Sequence, residues 1–430
     1  MKWLSVMALA GASAFCQNAP MFRGNLAHTG VYPGAGVRKF SQVAWKYKTG
    51  GKVISSPAVS GGAVYFGSTD QHLYAVEQRT GELRWKFQTG SRVTSSPAVA
   101  GGMIYFGSFD GTFYALDAAT GRLKWKFETE GERRWASRSL HGMQPSGETM
   151  PDPWDFYLSS PAVFEGTVYF GSGDGFVYAL DAASGGLKWK FRTGSVVHAS
   201  PAIADGTLFI GSWDSGLYAL EAASGKLKWR LQTGTDPQNG NQQGFQSSPA
   251  VAGGIVYAGC RDAKLYAVDA RTGAKKWEYF NNGSWVITSP AVLDGKVYLG
   301  TSDTGLFLTL DAATGAKLNS VDARFPVFAS PAIAGGAVYV GTFDGKLRAY
   351  DIKTSELLWT FETEASKQNA AAFTNKEGKL DFGLVVRANF IDEMTAGLER
   401  LFAMGSIVSS PAIDRDMIYV GSTDGYLYAL

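Results

Sequence analysis

A chain of 430 residues, 45% of them hydrophobic, can bury a large core, and is too long for one ordinary domain unless it is built from repeats or closes as a barrel. Its 40 basic and 38 acidic residues leave a formal net charge of +2, so nothing draws it to nucleic acid or to an anionic membrane in preference to other partners. Two cysteines, Cys16 and Cys260, exclude a disulfide framework.

Residues 1–14 carry the pattern of an export signal. Lys2 precedes an apolar stretch from Leu4 to Ala14, and Ala12-Ser13-Ala14 gives a small-x-small cleavage site, with cleavage as late as about residue 19 also compatible. The stretch is too short to span a bilayer. Cys16 raises lipidation as an alternative, although Phe15 before it makes a poor lipobox. Residues 15–42 form a lead-in, followed by a strand at Val43 to Tyr47.

From there the chain repeats. A tetrad ending in Ser-Pro-Ala recurs with proline at 57, 97, 161, 201, 249, 290, 331 and 411. The basal interval of about 40 residues is that of one propeller blade. In the second copy, Gly101-Gly102, Ser108-Phe109-Asp110-Gly111 and Asp117-Ala118-Ala119-Thr120-Gly121 separate four short apolar runs. Turn residues interrupt every run before two helical turns could form, so the runs are strands. The fourth strand alternates, with Leu83, Trp85 and Phe87 expected on one face and Arg84 and Lys86 on the other. The eighth copy has three strands before Leu430, and Val43 to Tyr47 supplies the fourth. The fold expected over 43–430 is all-β: an eight-bladed β-propeller of four-stranded antiparallel blades, its ring closed by an N-terminal strand that completes the last blade.

Insertions interrupt the repeat at about 130–157, 235–246 and 364–404. All three connect blades, so they gather on one rim with the Ser-x-Asp turns, and the opposite rim is expected to carry only short Gly-Gly and Thr-Gly turns. Loops on a rigid scaffold carry function. The candidate binding residues are therefore Arg133, Arg134, Trp135, Arg138, His141, Trp154 and Asp155 in the first insertion, Trp213, Arg261 and Trp285 in turns and a connection on the same rim, and Arg387 in the third insertion. Arg and Trp are favoured at binding hot spots. The competing reading has Trp154 and Phe156 plugging the funnel and the arginines solvated. The second insertion reads as a polar loop, and 391–402 as a short amphipathic helix that serves as a lid or a docking element.

Catalytic signals are weak. His28, His72, His141 and His198 lack zinc-ligand spacing. Asp70, Asp110, Asp174, Asp214, Asp262, Asp303, Asp344 and Asp424 recur once per blade, as hairpin turns demand. Cys260 reads as a small buried thiol, and His198 as a satisfied structural histidine.

The run Ala115 to Trp125 resembles the tryptophan-docking repeat of quinoprotein propellers, Ala-x-Asp-x-x-Thr-Gly-x-x-x-Trp. Close copies end at Trp189, Trp229 and Trp277 and looser ones at Trp85 and Trp359; with Trp45 the ring holds seven, and Asn319 stands at the eighth position. One branch of this architecture comprises dehydrogenases using pyrroloquinoline quinone with calcium, many with a vicinal cysteine pair that this chain lacks. The other is the outer-membrane assembly factor BamB type, periplasmic and without catalysis. The resemblance to that second branch implies an exported, monomeric scaffold in a bacterial envelope, binding protein or envelope polymer through its long-loop rim. It implies no cofactor, no nucleic acid, and membrane association only through Cys16 or a partner. The alternatives are the dehydrogenase and a carbohydrate or small-ligand binder using Trp135, Trp154, Trp213 and Trp285.

Overall fold

Turn chemistry cuts the chain into strands of three to six residues. In blade 1, Gly61 and Gly62 both take positive φ between Ala58–Ser60 and Ala63–Gly67, a backbone that L side chains resist. The next turn is held by Asp70. One carboxylate oxygen accepts the His72 N–H at 3.2 Å, and the other accepts the Tyr74 hydroxyl at 2.6 Å and the Gly50 N–H at 2.7 Å. This aspartate thus ties the hairpin to the connection that precedes it. Asp110, Asp174 and Asp214 repeat the pattern with Tyr114, Tyr178 and Tyr218. In blade 7 Arg348 replaces the tyrosine and pairs with Asp344 at 2.7 Å.

A computed structural model describes residues 19–430. It contains eight four-stranded antiparallel sheets and a small two-stranded one formed by Ala136–Arg138 and Thr149–Pro151. Trp45–Lys48 pairs with Tyr426–Ala429 and completes the eighth blade, in the register Trp45↔Ala429 to Lys48↔Tyr426. The expected closure is therefore observed. The export segment and Cys16 lie outside the described residues. No helix among the described residues is long and apolar enough to cross a membrane.

Blades are joined through their outer strands. The indole of Trp85 donates to the Ala118 carbonyl of blade 2 at 3.2 Å, and Trp125, Trp189, Trp229 and Trp277 each donate likewise to the following blade. Each ring lies against a glycine; a Cβ on Gly121 would come within 2.6 Å of Trp85. Where the indole is missing, at Asn319, the facing position in blade 7 is Ser355 instead of glycine. Trp359 docks on the lead-in, donating to the Val37 carbonyl at 2.8 Å. The core lies between blades, as where Phe113 of blade 2 stacks on Phe170 of blade 3 at 3.9 Å.

Alternation in the outer strand holds only from Trp85 onward. Ala75 pairs with Trp85 but Val76 pairs with Leu83, a bulge that skips Arg84. The extra residue turns Leu83 outward, 44% exposed. The expectation that Leu83 shares the packed face is thereby corrected.

The rim expected to be bare is also corrected. The lead-in crosses it, and the carbonyls of Ala19, Pro20, Leu26, Ala27, Thr29 and Gly30 accept the N–H groups of Val59, Val99, Ile203, Val251, Val292 and Ile333. These amides belong to the inner strands of six blades and would otherwise open onto the funnel. Arg23, buried, donates to the carbonyls of Pro331 at 2.5 Å and Pro290 at 3.0 Å.

Candidate functional site

On the insertion face the first insertion folds back into the funnel. Glu132, Trp135, Asp152, Trp154 and Asp155 point inward, and a chain of buried charges fixes them. His198, on the inner side of blade 4, sits between Asp155 at 2.7 Å and Glu132 at 2.8 Å. Burial opposes the charged ring, but the two carboxylates outweigh it and raise its pKa to about 10. Burial in turn raises the Glu132 carboxyl, despite its histidine partner. Asp155 also accepts the Trp135 N–H at 2.6 Å.

A second group adjoins the first. Asp152 takes Arg261 at 2.5 Å and His141 at 3.1 Å. Burial pushes the Asp152 carboxyl up, yet Arg261 and His141 prevail and hold it well below the ordinary carboxylate range. The other His141 nitrogen meets Asn241 of the second insertion at 3.2 Å. The second insertion is ordered by Asp236, whose carboxylate accepts four backbone N–H groups, those of Gln238, Asn239, Asn241 and Gln242.

The aromatic residues form a column. Trp135 stacks on Trp213 at 4.6 Å; the Arg261 guanidinium lies 4.8 Å from Trp213 and 3.6 Å from Trp285; Trp154 meets Trp285 edge-on at 6.5 Å. Trp154 and Phe156 pack on Phe328, and Phe343 joins them. Trp135, Trp154, Asp155, Trp213, Arg261 and Trp285 are all buried, and the His141 side chain is 5% exposed. These seven candidates are therefore a plug rather than an open binding rim, because the insertions bury their own aromatic residues on the funnel. The four tryptophans offer no open face to a glycan.

Four candidates remain outside. Arg133, Arg138 and Arg387 are exposed and Arg134 is half-buried. Sequence reasoning passed over their apolar neighbours in the third insertion. There, α1 (Glu364–Asn369), α2 (Phe382–Val385) and α3 (Ile391–Phe402) fold over the plug, and α3 matches the helix expected at 391–402. It buries Met394, Leu398, Leu401 and Phe402. The segment leading into it leaves Phe382, Leu384 and Phe390 exposed, Phe390 by 57%. The Gln144 N–H of the first insertion donates to the Asn389 carbonyl, and the Gln144 carbonyl accepts the Ile391 N–H, at 3.0 Å each. Three large apolar side chains within nine residues that match no blade were the available signal.

Beneath the plug, eight serines line the axis. The Ser56 N–H donates to Ser96 Oγ, and the relay continues through Ser160, Ser200, Ser248, Ser289, Ser330 and Ser410 at 2.8–3.1 Å. Ser410 returns the bond to Ser56. Between this ring, Phe22 of the lead-in and Tyr157 and Leu158 of the plug, the enclosed volume is about 40 Å³. A bound cofactor needs about 300–1,000 Å³. That space is too small for the fused rings of pyrroloquinoline quinone, and the sequence has no vicinal cysteine pair. Cys260 is fully buried, and burial raises its thiol pKa.

Fold and site together define a closed eight-bladed propeller with tryptophan docking, capped on both faces and bearing an apolar and basic patch on its insertion face. The family model described as outer membrane protein assembly factor BamB matches residues 36–150, 127–284 and 281–389, and the chain belongs to that family. No curated protein sequence matches it. Among solved structures, BamB from Moraxella catarrhalis is 17% identical with a TM-score of 0.64, covering 90% of this chain and 96% of its own. A europium-containing methanol dehydrogenase is 17% identical with a TM-score of 0.68, covering 95% and 91%. Quinohemoprotein alcohol dehydrogenase from Comamonas testosteroni is 16% identical with a TM-score of 0.68, covering 96% and 80%. Likeness at this identity is likeness of fold.

Proposed function

We propose that this protein is an exported, non-catalytic scaffold that binds another envelope protein through its insertion face. The observation that carries the reading is the patch of Phe382, Leu384 and Phe390 beside Arg387, exposed on a rim whose funnel is filled. Large apolar side chains grouped on a folded surface mark association sites, and arginine among them supplies the polar contacts that fix register. The filled funnel supports the same reading, since a dehydrogenase needs room there for quinone and substrate. Membership of a family described as an outer membrane assembly factor accords with an envelope location and a protein partner.

Two measurements test this. Purified protein mixed with pyrroloquinoline quinone and calcium is expected to give no saturable quenching of its tryptophan fluorescence and no dye reduction with alcohols or sugars; turnover would establish the dehydrogenase instead. Capture from envelope extract is expected to lose its partner when Phe382, Leu384 and Phe390 become Ser and Arg387 becomes Glu. An unchanged set of captured proteins would refute the rim as the binding face.

A further inference from the structure

One junction between blades lacks a tyrosine that the other seven blades carry. The second strand carries tyrosine at one position in seven blades: Tyr65, Tyr105, Tyr169, Tyr257, Tyr298, Tyr339 and Tyr419. Blade 4 has Phe209 there, in the same register, opposite Ala202 and Ala219. At the regular junctions the tyrosine hydroxyl and the docking indole share one carbonyl of the following blade. Ala118 accepts Tyr65 and Trp85, Ala182 accepts Tyr105 and Trp125, Ala222 accepts Tyr169 and Trp189, and Ala312 accepts Tyr257 and Trp277. The Ala270 carbonyl receives Trp229 at 2.9 Å, and Phe209 has no hydroxyl to give.

The groove between blades 4 and 5, on the face away from the insertions, is also roomier than two others of its kind. Its volume is about 970 Å³, against about 440 Å³ between blades 8 and 1 and about 470 Å³ between blades 1 and 2. Phe209 and Ala270 both line it. Leu227, Val251 and Ile255 supply apolar surface, while charges of both signs surround it: Asp205 and Glu221 against Lys226, Lys228 and Arg271.

We infer that this groove binds a neutral, polyhydroxylated ligand of oligosaccharide class. A hydroxyl is the group that four junctions bring to the equivalent carbonyl. Carboxylates accept from sugar hydroxyls and ammonium or guanidinium groups donate to them, so a lip of mixed sign suits a ligand that is donor and acceptor at every carbon. Charges that nearly balance give no pull toward a polyanion. The C–H faces of pyranose rings lie on Leu227 and Ile255, and the volume takes several residues of a glycan chain. This site is separate from the insertion face and does not depend on the protein-binding reading.

The test is Phe209→Tyr. It installs the side chain used by the other seven blades, so it is expected to fold at least as stably as the wild type while supplying the missing donor to Ala270. Isothermal titration with maltohexaose and with the hexamer of N-acetylglucosamine is expected to show saturable binding of at least one by the wild type. Phe209→Tyr is expected to weaken it about tenfold or more, the scale of one lost hydrogen bond with its site filled. A second variant at the lip, Asp205→Asn with Lys228→Ala, leaves the core intact and is expected to weaken binding as well. Tyr257→Phe, which frees a similar carbonyl at another junction, is expected to leave it unchanged. Amide shifts at Gly253, Gly254 and Ala270 would place the ligand. Failure of both oligosaccharides to bind, binding indifferent to Phe209→Tyr, or binding confined to an extended hexapeptide probe would overturn the inference.

Discussion

The backbone N–H of Ser410 donates to Oγ of Ser56 at 2.9 Å across 354 positions of sequence. That bond closes a circle of eight, one per blade, around the axis. Each serine is buried, so each N–H depends on the next hydroxyl. Ser56→Ala leaves the Ser410 N–H without its acceptor and is expected to cost about 1–3 kcal/mol. Chemical denaturation is the measurement. Lys126→Ala on the exposed outer wall is the comparison, expected within about 0.5 kcal/mol of wild type.

Indole docking makes a sharper contrast between two glycines. Gly121 and Gly101 both have positive φ, 69° and 57°. A Cβ on Gly101 meets nothing within 4 Å, whereas one on Gly121 strikes Trp85. Gly101→Ala is expected to cost only the left-handed backbone strain, about 1–2 kcal/mol. Gly121→Ala is expected to cost distinctly more and to alter the near-ultraviolet circular dichroism of the tryptophans. Equal costs would contradict the docking role.

The charge cluster predicts a pH dependence. His198 has its folded pKa raised from 6.5 to about 10 by Asp155 and Glu132. A raised basic group gives stability that is whole below the unfolded value and disappears as pH climbs through the folded one. Stability is therefore expected to fall between about pH 6.5 and pH 10. His198→Asn is expected to be less stable at pH 6 and to decline less over that window. A wild-type midpoint that stays flat from pH 6 to 10 would contradict the assignment.

The lead-in is expected to protect amides of the inner strands. Arg23→Ala removes two donors to the Pro290 and Pro331 carbonyls and loosens the segment around Leu26 to Gly30. Hydrogen exchange at Val251, Val292 and Ile333 is expected to quicken. Exchange at the Ser410 amide, held by the serine ring, is expected to be little changed.

What could be read in advance follows from how far each interaction reaches. The Asp-Gly turns and the Trp-docking motif are local and recur at one period, so eight blades and their closure through Trp45 were legible. So was α3, whose apolar residues fall on one helical face. The bulge at Arg84 was not, because its leucine keeps the alternating pattern in sequence while the pairing slips. The plug was legible only in part. Trp154 and Phe156 could be placed in the funnel, but the Trp135–Trp213–Arg261–Trp285 column depends on Asp152 meeting Arg261 across 109 positions. No local pattern registers such a contact. The lead-in binds the inner strands mostly through backbone carbonyls, which leave no signature in residue types.

The most direct test of the scaffold reading is site-specific photo-cross-linking in envelope-bearing cells. A benzophenone side chain is placed at Phe390 on the insertion face or at Leu123 on the outer wall, both exposed. Discrete adducts from position 390, absent from position 123 and lost with Arg387→Glu, are the expected result. Position 390 without adducts, or the same adducts from both positions, would contradict it.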